Sequence, residues 1–389
     1  ICERKVPLNR EDVTCLMVND TSAALALISG AFYHYPSKKL QLVGITGTNG
    51  KTTTATLLHD LYNDLGYTCG LISTVVNKVG NREIQSTHTT PNSVSLNLLL
   101  SEMVEQGCTH CFMEVSSHSV VQNRTLGLQF KGGVFTNISH DHLDYHKTFD
   151  EYIKAKKRFF DGLSSEAFAL VNSDDKNGSV MVQNTKADCF TYALKSPSDF
   201  KAKIIENEIS GLILNLDGME FYSRLIGRFN AYNLLTVFAV SCLLGEDKLQ
   251  TLSALSDLKS VDGRFQYVKV EQGPTAIIDY AHTPDALENV LSTINSIKKH
   301  QSKLYTVVGC GGDRDAKKRP LMAAIASRLS DQIILTSDNP RNENPEAILE
   351  DMKKGLNDEQ KNKALSISDR REAIKLALKL ADVKDIVLL

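Results

Sequence analysis

Leu40-Gln41-Leu42-Val43-Gly44-Ile45-Thr46-Gly47-Thr48-Asn49-Gly50-Lys51-Thr52-Thr53-Thr54-Ala55-Thr56-Leu57-Leu58 is the stretch on which the fold turns. Its first part is short, apolar and β-branched, which suits a buried strand. A Gly-rich turn follows, then Lys-Thr, then residues that can open a helix. Strand, Gly loop and helix make a phosphate cradle. Glycines let backbone N–H groups converge on phosphate oxygens, and the helix N-terminus adds its positive dipole end. In such a cradle Lys51 reaches the terminal phosphates and the Thr52 hydroxyl ligates Mg²⁺.

The fit to the Walker A pattern is imperfect. That pattern places a glycine where this chain has Ile45, with Gly44 and Gly47 on either side. A bare Gly-Lys-Thr is a weak signal, but one that follows a buried strand is much stronger. The plainer alternative is an ordinary strand-to-helix turn. The glycines are not spaced as Gly-x-Gly-x-x-Gly, so a nicotinamide cofactor is not expected here.

At 389 residues the chain exceeds one ordinary core, and two or three domains are expected. A net charge of -2 with both signs interspersed argues against a nucleic-acid surface, while leaving room for a basic pocket around a phosphorylated ligand. No apolar run approaches the ~18 residues of a membrane span. The start, Ile1-Cys2-Glu3-Arg4, is not an apolar signal segment. A cytoplasmic monomer is expected. Of eight cysteines, Cys69, Cys111, Cys189 and Cys242 sit in apolar runs, as in a reduced compartment. Cys108 and Cys111 form a lone Cys-x-x-Cys with no second pair, so burial at a strand start is the expectation.

Val13 to Val18 reads as a strand, Asp20-Thr21-Ser22 as the cap of a helix to about Tyr33, and Pro36-Ser37 as a linker. From Leu40 to about Phe265 strand-like and helix-like segments alternate, the pattern of an α/β domain with a mainly parallel sheet. Phe200 to Phe221 reads as two weak strands around an Asp217-Gly218 turn, and Asn230 to Leu244 as an apolar helix. A second α/β unit follows. Its strands Thr275–Asp279, Leu304–Val308 and Gln332–Thr336 run into polar loops, where open α/β sheets hold ligands. The last residues, Asp385 to Leu389, read as a buried strand with nothing after it, and since a fold rarely ends on an uncovered parallel strand, a C-terminal domain cut short is expected.

Several residues carry chemistry. Glu114 ends an apolar strand, where a Mg²⁺ ligand belongs beside a phosphate loop; its plain alternative is a solvated charge. His140-Asp141-His142-Leu143-Asp144-Tyr145-His146 is dense enough for a zinc site, but Tyr145 spoils the hydrolase spacing. Tyr152 to Phe160 reads blandly as an amphipathic surface helix with solvated lysines. A metal-dependent hydrolase and a P-loop switch or transport ATPase are the competing classes.

Gly47-Thr48-Asn49-Gly50-Lys51-Thr52 resembles the ATP loop of the Mur ligase family, including its departure from Walker A. Thr89-Thr90-Pro91, Glu114 to His118, Asp141 to His146, Asp279 to Leu287 and Asp338-Asn339-Pro340-Arg341 resemble further motifs of that family in the same order. The set is closest to the branch that forms the tripeptide precursor of peptidoglycan. The resemblance implies three parts: residues 1–39 left from a UDP-sugar domain, an ATPase over 40–266, and an incomplete Rossmann-like amino-acid domain over 267–389. It implies ATP-driven amide formation on UDP-MurNAc-L-Ala-D-Glu through an acyl phosphate, with meso-diaminopimelate or L-lysine as acceptor.

By the same resemblance, Gly47, Thr48, Asn49, Gly50, Lys51, Thr52, Thr53, Asn137, Asn233, Arg264, Asp279 and His282 bind ATP. His88, Thr89, Thr90, Ser116, Gln122 and Arg124 bind the UDP-sugar peptide, and Arg314, Asp338, Asn339, Pro340 and Arg341 the amino acid. Lys51, Glu114, His142 and Lys156 are the implied catalytic set. Lys156 corresponds to a carbamylated lysine that ligates a second Mg²⁺, the first being held by Thr52 and Glu114. Two departures limit this. Most of the uridine-binding part is missing, and a Gly-Lys-Gly-His-Glu segment lies beyond Leu389, so turnover as given is expected to be poor. Among acceptors meso-diaminopimelate is favoured, because Arg341 offers a planar fork for its second carboxylate. The alternative is that Arg341 pairs with Glu343 or Glu346 at the surface.

Overall fold

The computed structural model describes residues 1–4, 12–139, 141, 143–269 and 273–389. Among them, two sheets carry the chain. The larger has eleven strands. At its centre Gln41–Thr46 lies between His110–Glu114 and Gly132–Phe135, parallel to both. After Gln41 every residue of that strand is buried, which explains an unbroken apolar run rather than an alternating one. Val43 and Ile45 face the helices Lys51–Asp64 and Arg228–Leu244, whereas Leu42 faces Ser93–Glu105 and Phe149–Asp161. Gly44 is glycine by necessity: a Cβ there would sit 2.7 Å from the Phe159 ring.

From this strand the chain moves one way to Cys69–Ile72 and later returns on the other side with Gly132–Phe135, Phe168–Asn172 and Asp188–Ala193. The strand order therefore reverses at Gln41–Thr46. A crevice opens at the carboxyl ends of strands at such a point. Antiparallel strands finish both edges: Val76–Val79 with Arg82–Gln85 on one, and on the other Gly211–Leu216 with Met219–Ser223, after Phe200–Glu208 has joined Asp188–Ala193 in parallel. The last group corrects the expectation of two strands. Phe200, Ala202 and Ile204 turn toward the core, and a turn at Ile209-Ser210 separates this strand from Gly211–Leu216, so one expected strand is two. The Asp217-Gly218 turn holds, with both φ angles positive (49 and 85) as a tight hairpin requires.

The smaller sheet has six strands among the described residues, in the order Gln266–Lys269, Thr275–Ile278, Ile386–Leu388, Leu304–Val308, Gln332–Leu335 and Ala364–Ser366. All neighbours are parallel except the first pair. Ile386–Leu388 is buried, as its apolar run suggests. It is a central strand paired on both sides.

Thr21–Phe32 is helical, with the Asp20 carboxylate accepting from Ala23 N at 2.9 Å, and it packs on Ser93–Glu105. Val13 to Val18 forms no strand; one bridge joins Met17 to Cys2. Pro36–Lys39 is a short 3-10 turn with Pro36 and Ser37 buried, not a free linker. Cys69, Cys108 and Cys111 are buried free thiols, whereas Cys189 is exposed, against its apolar surroundings in sequence.

Candidate active site

The central strand delivers Gly47 to Gly50 at its carboxyl end, and Lys51 opens the helix Lys51–Asp64. Gly47 has a φ of +149, and a Cβ on it would lie 1.9 Å from Thr136 Oγ1. The loop can therefore lie flat on residues 136–137. Thr48 N donates to Asn137 O at 2.8 Å and Asn49 N to Asn137 Oδ1 at 2.9 Å. Asn49 O accepts from Thr136 Oγ1 at 2.6 Å and Asn137 Nδ2 at 3.1 Å. Lys51 Nζ donates to Gly47 O and Thr48 O, both at 2.9 Å. Burial lowers the pKa of its ammonium, and the charges of Glu114 and Asp141 oppose that shift.

Thr52 Oγ1 donates to Glu114 Oε1 at 2.8 Å, and Thr74 N donates to the same oxygen at 2.7 Å. Glu114 is 1% exposed, which overturns the solvated strand-end alternative. Arg264 Nη2 donates to Thr52 Oγ1 at 3.1 Å, and the guanidinium lies 4.6 Å over the Tyr280 ring. Its Nε is buried with no partner among the described residues, a donor that a ligand oxygen could take.

Lys156, on the helix Phe149–Asp161, corrects the reading of that helix as a surface element. It is 1% exposed, and its Nζ donates to Gly47 O at 2.8 Å. The amine also lies 4.6 Å from the Tyr152 ring centroid, while Tyr152 OH is 3.1 Å from Thr48 Oγ1. Burial, and then the nearby Lys51 charge, drive the Lys156 pKa well below the usual lysine value. Lys154 and Lys157 behave as the surface reading expects, pairing with Glu151 and Asp161.

Thr90 Oγ1 donates to Glu114 O at 2.8 Å and accepts from Ser116 N at 3.1 Å. Arg124 Nη1 donates to Thr90 O at 2.6 Å and its Nε to Gln122 Oε1 at 2.9 Å. Thr89 Oγ1 accepts from Thr74 Oγ1 at 3.0 Å. These five residues thus gather beside Glu114. The His88 ring meets Thr87 Oγ1 at 3.1 Å, one step outside the group. His142, like His140, lies outside the described residues. His146 Nε2 lies 2.8 Å from Ser117 Oγ.

In the second unit, Asp279 Oδ2 accepts from Phe265 N at 2.8 Å, and burial raises the carboxyl pKa. His282 Nδ1 is 3.2 Å from Tyr280 O, and burial lowers its pKa. Asp285 Oδ2 accepts from Asn49 Nδ2 and Ser139 Oγ, both at 3.0 Å, so the phosphate loop touches the second unit directly. Asn233 Oδ1 accepts from Thr54 Oγ1 at 3.4 Å. Two cavities open here. The larger, about 720 Å³, is lined by Thr48 to Thr53, Glu114, Asn137, Lys156, Asn233 and Arg264. The smaller, about 420 Å³, is lined by Arg314, Asp338, Asn339 and Arg341. Asp141, Asp279, Tyr280, Ala281, His282 and Arg314 line both.

Arg341 is exposed, with its Nη1 on Gly312 O at 2.5 Å. The two carboxylates named as its surface partners are engaged elsewhere, Glu343 with Arg319 and Glu346 with Ser368 Oγ. Pro340 O accepts from Glu343 N at 2.9 Å and closes the loop. Sequence reading missed Tyr152, Ser139, Asp285 and Arg319. Asp285 stood inside a quoted motif; the others had no local signal.

A Gly-rich loop at a strand switch point, with a second cavity sharing its wall, is an arrangement an ATP-dependent amide ligase can use. Residues 45–241 match the Mur ligase middle domain and residues 263–389 the Mur ligase, glutamate ligase domain. The UDP-N-acetylmuramoyl-L-alanyl-D-glutamate–2,6-diaminopimelate ligase of Cytophaga hutchinsonii is 57% identical over 389 residues, covering 100% of this chain and 80% of its own. The protein of the same name from Geobacillus kaustophilus is 42% identical over 97% of this chain and 79% of its own. A solved structure of a ligase of that name superposes with a TM-score of 0.67 at 33% identity, covering 94% of this chain and 77% of that one. Mycobacterium tuberculosis folylpolyglutamate synthase complexed with ADP shares the fold, with a TM-score of 0.77 at 17% identity over 95% of this chain and 92% of that one. The chain belongs to the Mur ligase family and is an ATP-dependent ligase of peptidoglycan synthesis.

Proposed function

We propose that this ligase joins an amine of meso-diaminopimelate to the D-glutamyl carboxylate of UDP-MurNAc-L-Ala-D-Glu, in the cytoplasm, as a monomer. One observation carries the reading: the phosphate-loop cavity and the Arg314/Arg341 cavity share a wall, so a carboxylate activated in one is within reach of an amine held in the other. No described helix is long and apolar enough to cross a membrane. Residues 40–266 take the nucleotide and 267–389 the amino acid, with 1–39 on the UDP-sugar side.

A carboxylate is a poor electrophile. Its oxygen attacks the γ-phosphorus of ATP, ADP leaves, and the acyl phosphate gains a leaving group. The amine nitrogen then attacks the acyl carbon, inorganic phosphate departs, and the ammonium product loses a proton. Bringing two anions together needs cations, and Lys51 and Arg264 supply them at the loop. Thr89, Thr90, Ser116, Gln122 and Arg124 stand beside Glu114, where the sugar peptide's carboxylate would be held, with His88 and His142 assigned to the same region on the motif alone.

The hydroxyl of Thr52 and the carboxylate of Glu114 are hard oxygen donors of the kind Mg²⁺ takes, and they already adjoin. They would hold the ion, which supplies charge neutralisation on the phosphates when bound. Lys156 fits a carbamate. Its lowered pKa favours the neutral amine, which would add CO₂ with loss of one proton and so present an anionic oxygen donor.

The deciding assay is phosphate release from ATP by full-length enzyme with UDP-MurNAc-L-Ala-D-Glu, with and without meso-diaminopimelate or lysine. Release that requires the diamino acid and favours meso-diaminopimelate is expected. Release without an acceptor would favour a plain ATPase.

A further inference from the structure

Arg319 has no part in the chemistry above, yet it is 3% exposed. It stands on the helix Lys318–Leu329 and reaches three elements at once. Nη2 donates to the two Glu343 oxygens at 2.7 and 2.8 Å and lies 3.4 Å from Gly311 O. Nη1 donates to Asp351 Oδ2 at 2.9 Å, on the helix Pro345–Lys353. Glu343 Oε1 in turn accepts from Asp313 N at 2.5 Å.

One guanidinium therefore ties residues 309–314 to residues 338–343. The two loops are laced elsewhere as well. Gly312 N donates to Asn339 O at 2.8 Å, and Asn342 Nδ2 to Asp313 Oδ2 at 2.9 Å. A Cβ on Gly312 would lie 1.9 Å from Pro340 O. Asp313 and Arg341 hold φ angles of +51 and +49, which non-glycine residues keep only where their surroundings over-determine the backbone. Replacing a buried ion network with apolar side chains is often neutral or stabilising, so stability alone does not account for Arg319. A planar fork fixes distance and angle between its acceptors, which a lysine cannot do.

The charge arrangement adds a second reason. Glu343 is two residues from Arg341, yet it pairs with Arg319, and Arg341 is left lining the smaller cavity. Without Arg319, Glu343 becomes an open partner for Arg341 and would draw it away.

We propose that Arg319 is a positioning residue that sets the spacing of the two loops and keeps Glu343 off Arg341, so that the smaller cavity selects an acceptor bearing a second carboxylate. This rests on that cavity being the amino-acid site.

The test is steady-state kinetics of the full-length enzyme with all three substrates, alongside unfolding midpoints. Wild type is measured first with meso-diaminopimelate and lysine; equal use of both removes the reading of the cavity and the proposal with it. Given wild-type preference, Arg319→Met should raise KM for meso-diaminopimelate by about tenfold or more, the worth of one charged hydrogen bond. KM for ATP and for the UDP-sugar peptide should stay within about twofold, as loss at one subsite requires. Adding Glu343→Gln to Arg319→Met should recover part of the loss, since the amide no longer attracts Arg341. A rise of all three KM values together, an unchanged KM for meso-diaminopimelate, or no recovery in the double variant overturns the proposal. Should Arg319→Met fail to fold, Arg319→Lys decides. It keeps the charge without the fork, and a rise confined to meso-diaminopimelate supports the proposal, while wild-type values overturn it.

Discussion

Gly47→Ala would test the phosphate loop at its tightest point. The new methyl would meet Thr136 Oγ1 at 1.9 Å, on a residue whose φ is +149. The backbone term costs ~1–3 kcal/mol. Forcing an extra methyl into a packed site costs a further ~1–3 kcal/mol. The single variant should thus lose about 2–6 kcal/mol, the sum of those two ranges. Thr136→Ala alone removes one hydrogen bond to Asn49 O, which keeps Asn137 Nδ2 as a donor at 3.1 Å. That change should cost ~1 kcal/mol. In the double variant the Thr136 clash is gone, while the φ cost and the close approach to Asn137 O and N at 3.0 and 3.2 Å stay. The pair should therefore be more stable than additivity predicts by about 1–3 kcal/mol, the size of the overpacking term. Urea unfolding followed by circular dichroism or tyrosine emission serves, since the chain has twelve tyrosines and no tryptophan. Calorimetry with ATP gives the functional side. Gly47 O accepts from both Lys51 and Lys156, so its displacement should turn both amines and weaken nucleotide binding. Losses that add within ~0.5 kcal/mol, or wild-type ATP affinity in Gly47→Ala, would refute this account of the loop.

Lys51→Ala should lower turnover by at least ~100-fold with the unfolding midpoint kept, because the ammonium meets charge that grows in the transition state; wild-type turnover in a folded variant would remove Lys51 from the mechanism. Lys156→Met should abolish most turnover, and acetate should restore some to Lys156→Ala if an oxygen anion is what the site lacks. In CO₂-free buffer the Met variant should also be more stable than wild type, increasingly so as pH falls from the ordinary lysine pKa toward the depressed one. Across that window the unfolded chain binds a proton that the buried amine refuses, so wild-type stability declines with falling pH. A flat difference between the two unfolding profiles would contradict this. Arg341→Ala should raise KM for meso-diaminopimelate by ~10–150-fold, one charged hydrogen bond at an exposed side chain. Lysine use and the ATP and UDP-sugar KM values should not move; a parallel loss of ATP affinity would place Arg341 elsewhere.

The phosphate loop was legible because its chemistry is local. A buried strand, glycines and Lys-Thr must be consecutive for backbone N–H groups to converge, so Gly47 to Thr52 could be read as a unit. Glu114 was readable for the same reason, as a carboxylate ending an apolar strand. Lys156 was not. Its helix has the spacing of a surface element, and nothing in Tyr152 to Phe160 says that one lysine of three turns inward to Gly47 O. The turn at Ile209-Ser210 that splits the first expected strand was missed, although Ser210-Gly211 stands there to mark it.

By itself the sequence determined that a nucleotide loop opens an α/β domain, that a second such unit follows, and which polar loops lie at the ends of its strands. Those are properties of neighbours in the chain: apolar period, turn residues and charge at fixed spacing. Only the tertiary structure decided that Ile386–Leu388 is a central strand, that Asp285 meets Asn49, and that Arg319 engages Glu343 and Asp351. Each depends on residues far apart in sequence whose pairing is set by strand order and burial. A buried charge takes its partner from whichever segment packing brings beside it, and no local pattern records that choice.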